Sequence, residues 1–245
     1  MRKYKYQGVA CLVLAFAPIS SFAGAADLGG GPKTSASVPA WEPATINYTN
    51  PAIWSGAYAG ISAGYGWGHS EQLYDRAGNH GLASTNPTGV VGAVTLGYNY
   101  QLSNSGIVLG MEGDIGLMDL NADDKAIFDG HVMKTTFGPW WATVRGRAGY
   151  AFDRTLVYGS GGAAFMGVDE ISIGNTPGET AINRDTRSGW VVGGGIEHAF
   201  APNMSAKVEY LHMDFGRYDG LSANTEHFHF DNTADLVRAG VNYKF

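Results

Sequence analysis

The stretch DLVRAGVNYKF, residues 235–245, alternates between two kinds of side chain from position 237 onward. The odd positions are apolar, and the even ones are small, polar or cationic: Val237, Ala239, Val241, Tyr243 and Phe245 against Arg238, Gly240, Asn242 and Lys244. Because successive side chains of a strand point to opposite faces, this pattern predicts a β-strand with one apolar face. That face meets either the core of a soluble sheet or the lipid around an outer-membrane barrel.

Seven further segments show comparable alternation: 54–67, 89–102, 106–118, 138–152, 155–168, 188–200 and 204–216. Each is long enough for the tilted strand of about ten residues that crosses an outer membrane. The connections alternate between tight turns (103–105, 153–154, 201–203) and long polar stretches (68–88, 119–137, 169–187, 217–234). Such alternation is expected when one end of a barrel faces the periplasm and the other the outside. The sequence therefore predicts an all-β protein, an eight-stranded antiparallel up-and-down transmembrane β-barrel over residues 53–245.

The first 52 residues are expected to be an export signal followed by a linker. Residues 1–25 carry a basic start, an apolar run from Val9 to Ala17 and small residues ending at Ala25. This order is typical of a secretory signal peptide, here cleaved before Ala26. The apolar run is shorter than the ~20 residues of a transmembrane helix. Residues 26–52 are rich in Gly, Pro, Ser and Thr and indicate a flexible N-terminal linker.

Composition excludes several classes of function. Cys11 is the only cysteine and lies in the predicted signal, so the mature chain would hold no disulfide and no cysteine metal site. Losing the signal's cations (Arg2, Lys3 and Lys5) changes the net charge from −6 to −9. An acidic protein is poorly suited to nucleic acid, whose binding depends on neutralising phosphates. No motif indicates a cofactor, and nothing in the pattern specifies an oligomeric state.

Charged residues fall on the faces that the predicted strands turn inward. They are Glu112, Asp114, Arg145, Arg147, Glu197, Lys207, Glu209 and Arg238. Because buried charges need partners, we expect these eight side chains to point into the lumen and form ion pairs. The alternative, a solvated face of a soluble sandwich, gives no reason for opposite charges to fall into register.

The tight turns give an expected register for these charges. Counting from residues 201–203 places Glu197 opposite Lys207, and Glu209 is expected level with Arg238. The same kind of count places Glu112 at the height of Arg147. Asp114 then lies at the height of Arg145.

Several stretches are similar to a known family: WSGAYAGISAGYGWG (54–68), GYNYQ (97–101), GMEGDIG (110–116), TVRGRAGYAFDRTLVYGSGGAAF (143–165), GWVVGGGIEHAF (189–200), KVEYLHMDFG (207–216) and VRAGVNYKF (237–245). With them the chain resembles the porin-like Omp25/Omp31-type outer-membrane proteins of alphaproteobacteria, related in architecture to OmpA-like and OmpX-like barrels. The resemblance implies a Gram-negative outer-membrane protein and surface antigen in contact with outer-membrane lipid and lipopolysaccharide. Tyr243 and Phe245 are then expected to form the C-terminal signal read by the barrel assembly machinery. The resemblance implies no catalytic residue.

Histidines suggest a second kind of function. His227 and His229, in HFHF (227–230), lie on one side of an extended segment within the last long connection. Histidine is the commonest metal ligand, and the resemblance links some relatives to hemin binding. They are weak candidates, because no further ligand spacing is present. His198 and His212 do not make a lipid-facing catalytic pair, because the expected register separates them by ~20 Å.

The expected function is that of an integral outer-membrane barrel with a structural and surface-antigen role, little or no large-solute permeability and no enzymatic activity. An eight-stranded barrel is about wide enough for side chains to fill. A small-solute porin and a surface receptor for hemin or metal remain the alternatives. The porin alternative depends on glycines expected to point inward: Gly110, Gly116, Gly159, Gly161, Gly193, Gly195 and Gly240.

Overall fold

The computed structural model describes residues 53–76, 79–103, 105–122, 125–127, 131–173, 180–221 and 227–245. The predicted signal peptide (1–25) and linker (26–52) lie outside these ranges and stay predictions. Within the ranges, no helix is long and apolar enough to cross a membrane.

The described residues form ten strands: β1 (Gly56–Arg76), β2 (Asn79–Thr85), β3 (Thr88–Gln101), β4 (Ile107–Asn121), β5 (Lys125–Ile127), β6 (His131–Phe152), β7 (Thr155–Ile173), β8 (Thr180–Ala201), β9 (Met204–Leu221) and β10 (His227–Lys244). Eight of them follow one another in the order β10-β9-β8-β7-β6-β4-β3-β1, and β10 pairs with β1 to close the ring. Every pairing is antiparallel. The predicted eight-stranded barrel is therefore confirmed.

Closure satisfies the backbone hydrogen bonds of each barrel strand on both sides. Such closure is a condition for a β-structure in lipid, where no water can take the place of a missing partner. β2 pairs with β1 and β5 pairs with β6 at the end of the barrel that carries the long connections. These two short strands extend the wall without entering the ring.

The strands run further than the alternation predicted. β6 begins at His131, β8 at Thr180 and β10 at His227, where the pattern placed the starts at 138, 188 and 235. The expected long connections are correspondingly shorter. Beyond the apolar band polar residues are allowed on both faces, so the period of two disappears while the hydrogen-bonded ladder continues. His227 and His229 consequently lie on β10 and not in a loop.

The outward face of the barrel is an apolar surface. Ile61, Met111 and Leu117 are 68%, 66% and 69% exposed. At the tight-turn end this surface carries the aromatic residues Tyr150, Phe152, Phe200, Tyr243 and Phe245. An apolar band with aromatic residues at its boundary is the expected lipid-facing surface of an outer-membrane barrel.

The inward face consists of three layers. Towards the long connections lies an apolar layer that includes Phe137, Trp141, Leu211 and Met213. At the tight-turn end, Trp54, Val108, Leu156 and Tyr158 form a second one. The charged residues lie between the two layers. Sequence reasoning predicted the charges but not the apolar layers, because it took the whole inner face to be polar.

Candidate functional site: a neutral ion-pair layer in the lumen

All eight charged residues predicted from the sequence point into the barrel, and each is at most 4% exposed. β4, β6, β8, β9 and β10 supply them, and strict alternation aims them inward. The layer holds four carboxylates and four cations, so its formal charge is zero. A neutral and fully paired set is the arrangement in which buried charges are tolerated.

Glu112 on β4 is shared by several cations. Its carboxylate accepts hydrogen bonds from Arg145, from Arg147 at 3.3 Å and from Lys207 at 3.1 Å. Tyr58 Oη donates a further bond of 2.7 Å. These partners come from different sides of the lumen, so Glu112 ties the walls of the barrel together.

Asp114 and Glu209 share two guanidinium groups. Arg238 Nη2 lies 2.9 Å from Asp114 Oδ2 and 2.6 Å from Glu209 Oε2. Arg145 donates to the same two residues, at 2.7 Å and 2.8 Å. Thr95 donates to Asp114 as well, at 2.6 Å. Two carboxylates and two guanidinium groups thus neutralise one another, and charge-assisted bonds of this kind are the strong ones.

Glu197 has one cation partner. Its Oε2 lies 2.8 Å from Arg147 Nη2, and its Oε1 accepts from Ser205 at 2.5 Å and from Asn242 at 2.7 Å. The Arg147 guanidinium also lies over the Tyr158 ring, 3.9 Å from its centroid. Among the described residues, Glu197 is therefore the lumen carboxylate that relies on a single cation.

The register agrees with the sequence in part. Glu197 is opposite Lys207 and Glu209 is opposite Arg238, as counting from the tight turn predicts. Lying opposite Glu197 in the sheet does not determine the ion-pair partner of Lys207, however, because Lys207 Nζ bonds to Glu112 across the lumen. The narrow barrel lets long side chains reach the far wall.

Similar height, counted from the tight turns, does not make two residues on β4 and β6 opposite in the sheet. Glu112 lies opposite Arg145 and not Arg147, and Asp114 lies opposite Thr143. No tight turn joins these two strands, so counting from the turns does not fix their relative position. The stagger that a closed barrel requires sets it instead.

Sequence reasoning missed the uncharged members of the layer: Tyr58, Thr95, Thr143, Tyr158, Ser205 and Asn242. Their one signal in the sequence is their position: each lies an even number of residues from the inward-facing positions of its strand, at a height similar to that of the charges. Charge alone selected the eight residues, whereas these hydroxyl and amide groups supply further hydrogen bonds to the carboxylates.

Two of the glycines expected to point inward face outward. Gly161 lies opposite the outward-facing Val192, and Gly159 has the same parity. β7 has no charge in this part, and small residues occupy both of its faces around Gly159 and Gly161, so the alternation could not assign them. Gly162 is the inward one, opposite Arg145.

Two of the inward glycines lie against aromatic rings in the lumen. A Cβ on Gly195 would lie 2.8 Å from Tyr158 Oη, and a Cβ on Gly116 would lie 2.7 Å from Trp141 Nε1. These glycines make room for aromatic rings that fill the lumen.

The histidine candidates do not assemble a metal site among the described residues, in which no group of three His, Cys, Asp or Glu side chains could hold an ion. His229 Nδ1 contacts Asp219 Oδ1 on the neighbouring strand. The His227 side chain lies outside the described residues. His198 lies opposite Ala206, as expected, which keeps it apart from His212.

The terminal aromatic residues lie on the outward face at the tight-turn boundary. Tyr243 is 47% exposed and Phe245 is 78% exposed. Their ring centroids are 5.4 Å apart in an edge-on arrangement. Both rings are therefore accessible on the last strand.

Residues 9–245 match the family of the outer membrane protein beta-barrel domain. The chain belongs to this outer-membrane β-barrel family. It is 36% identical over 202 residues to the "31 kDa outer-membrane immunogenic protein" of Brucella melitensis, covering 78% of this chain and 84% of the relative. It is 28% identical over 203 residues to the "25 kDa outer-membrane immunogenic protein" of Brucella abortus, covering 83% and 84%. The resemblance seen in the sequence and the outer-membrane location of this family member are thereby confirmed.

A further relative and two solved structures are also similar to this chain. The "22 kDa outer membrane protein" of Rhizobium leguminosarum bv. viciae is 31% identical over 159 residues, covering 64% of this chain and 67% of the relative. The attachment invasion locus protein Ail of Yersinia pestis matches with a TM-score of 0.41 and 17% identity, covering 78% of this chain and 99% of that one. Neisserial surface protein A matches with a TM-score of 0.39 and 17% identity, over 78% and 98%.

Proposed function

We propose that this outer-membrane protein is a closed barrel with a structural and surface-antigen role, and that it passes no large solute. One observation carries the proposal: a neutral, fully paired charge layer fills the lumen between two apolar layers. A hydrated solute would have to separate buried ion pairs and also displace Trp141 on one side or Leu156 on the other. Breaking one buried pair already costs ~3–5 kcal/mol.

The same arrangement supports a non-enzymatic role. Each lumen carboxylate accepts hydrogen bonds from cations at 3.3 Å or less, so none is free to act as a general acid or base. Apolar layers cover the ion pairs on both sides. The names of the immunogenic relatives support a protein whose exposed loops meet the surroundings of the cell.

Planar-bilayer recording on the mature chain, residues 26–245, tests closure. Heat-modifiable migration in gels first establishes that the protein is folded. We expect no steady conductance from this folded protein, and a trimeric porin serves as the positive control of the assay. A constant single-channel step that scales with the amount of folded protein would contradict the proposal. It would favour the small-solute porin.

We also propose that the last strand carries the assembly signal, with Tyr243 and Phe245 as the residues that the assembly machinery contacts. Their outward exposure supports this role. Replacing Phe245 by Ala should lower the amount of folded protein in the outer membrane of cells. The purified variant should refold in detergent like the wild type, because the Phe245 side chain is largely exposed on the outward surface. Equal amounts of both proteins in the membrane would contradict the assignment.

A further inference from the structure

The outward wall formed by β8, β9, β10 and β1 carries a polar group that ion pairing in the lumen does not explain. Asp235 Oδ1 accepts a hydrogen bond of 2.6 Å from Tyr210 Oη and lies 2.8 Å from His212 Nδ1. The Trp190 ring lies 5.5 Å from the His212 ring, and the Trp67 ring lies 6.4 Å from the Tyr210 ring. We call these five residues the Asp235 cluster.

The depth of the Asp235 cluster places it at the outer edge of the apolar band. Asp235 precedes Tyr243, in the aromatic boundary at the tight-turn end, by eight positions on β10. Eight residues of a strand tilted by ~40° rise about 20 Å, and the apolar band of such barrels is ~25 Å tall. The cluster therefore lies ~5 Å inside the outer boundary of the band, next to the headgroups of the outer leaflet. Tryptophan and tyrosine are common at that level, but an ionisable pair facing lipid points to a function.

An apolar groove of about 790 Å³ runs along the same wall below the cluster. Its floor is made of small side chains, because Ala63 lies opposite Ala239 and Ala206 lies on the next strand. Ile61 and Val208 form its sides. Ala239 follows Asp235 by four positions on β10, so the groove leads from the cluster towards the middle of the membrane.

We propose that this wall binds one molecule of an outer-leaflet glycolipid, with a sugar against the Asp235 cluster and an acyl chain in the groove. His212 Nδ1 is engaged by Asp235, which leaves Nε2 without a hydrogen-bond partner among the described residues. A sugar hydroxyl can donate to the carboxylate of Asp235 or bond with Nε2. The cluster contains a carboxylate and no lysine or arginine, so it suits neutral hydroxyls better than a phosphate. Trp67 and Trp190 offer flat apolar faces beside these polar atoms.

Native mass spectrometry of the refolded mature protein tests the proposal with two probes that share acyl chains. Glucosyl diacylglycerol carries a sugar and no phosphate, and phosphatidylglycerol carries a phosphate and no sugar ring. We expect one glucosyl lipid to be retained per protein, and phosphatidylglycerol to bind about tenfold more weakly, as the loss of one charge-assisted hydrogen bond predicts.

Two pairs of variants separate the cluster from the groove. Asp235→Asn should weaken glucosyl-lipid binding about tenfold by removing the charged acceptor. Asp119→Asn is its control, because Asp119 is an exposed outward residue near the same end of β4. Ala239→Leu should fill the groove and weaken both lipids alike. Ala148→Leu is the control for Ala239→Leu, because it adds the same bulk to the outward face of β6, on the opposite side of the ring.

Three results would overturn the proposal. Equal retention of the two lipids would mean that no sugar is recognised. Retention of neither lipid would mean that the wall binds no lipid specifically. A dimer that Ala239→Leu dissociates and Ala148→Leu does not would assign the groove to a second copy of the chain.

Discussion

Arg147 shows how a single side chain is stabilised in this lumen. Its guanidinium pairs with Glu197 at 2.8 Å and with Glu112 at 3.3 Å, and it stacks on the Tyr158 ring. Replacing Arg147 by Met leaves Glu197 with two neutral donors only. We expect the free energy of unfolding to fall by ~3–5 kcal/mol, as for other broken buried pairs.

Urea-induced unfolding in lipid vesicles measures this loss. Arg154→Met is the matched control, because Arg154 is an exposed cation in the tight turn after β6. Its free energy of unfolding should change by no more than ~0.5 kcal/mol. Equal effects of the two substitutions would show that the lumen pairs contribute no more than surface charge does.

Lys207 distinguishes pairing across the lumen from pairing along the wall. It lies opposite Glu197 in the sheet, yet its Nζ bonds to Glu112. Double-mutant cycles with Lys207→Met, Glu112→Gln and Glu197→Gln should give a coupling of ~0.5–3 kcal/mol for Lys207 with Glu112. Coupling with Glu197 should be smaller. The reverse order would mean that neighbouring strands, and not the lumen, determine the partners.

At the scale of the strand, inward glycines and the aromatic rings beside them fit together. A Cβ on Gly195 would lie 2.6 Å from the Val208 carbonyl oxygen and 2.8 Å from Tyr158 Oη. Gly195→Ala should therefore destabilise the barrel by ~1–3 kcal/mol through overpacking. Gly146→Ala, whose Cβ would meet no atom closer than 4.0 Å, should be neutral or slightly stabilising. Urea-induced unfolding compares the two variants. An unchanged free energy of unfolding in Gly195→Ala would contradict the close packing of this glycine against Tyr158.

The strands also show what alternation can predict. It assigned the faces of β4, β6, β8, β9 and β10, because the charges in the middle of each of these strands fall at one parity. Asp119 on β4 and Asp235 on β10, nearer the long connections, point outward instead. Alternation failed on β7, where Gly159 and Gly161 have no charged neighbour to mark the inner face. It also could not give the stagger between β4 and β6, or the reach of Lys207 across the lumen, because both depend on closure of the ring.

At the scale of the whole molecule, the charges that stabilise the barrel are buried, which limits their screening by dissolved salt. The eight lumen residues are at most 4% exposed, whereas Arg217 and Asp231 form an exposed pair. Mobile ions screen exposed charges over ~10 Å at 0.1 M salt but act far less on buried pairs. We expect the urea midpoint of the wild type to stay nearly constant as ionic strength is raised tenfold. A large decrease would show that water and ions enter the charge layer.

The length of β6 and β8 has a consequence for what the cell presents to its surroundings. Each has 22 residues, which at ~3.3 Å per residue and a tilt of ~40° reach about 55 Å, roughly twice the ~25 Å apolar band. The part beyond the lipid consists of paired strands that extend well above the membrane surface. An antibody or another large molecule would meet the outer ends of these strands first, and the sequence there could vary widely without disturbing the ion-pair layer below.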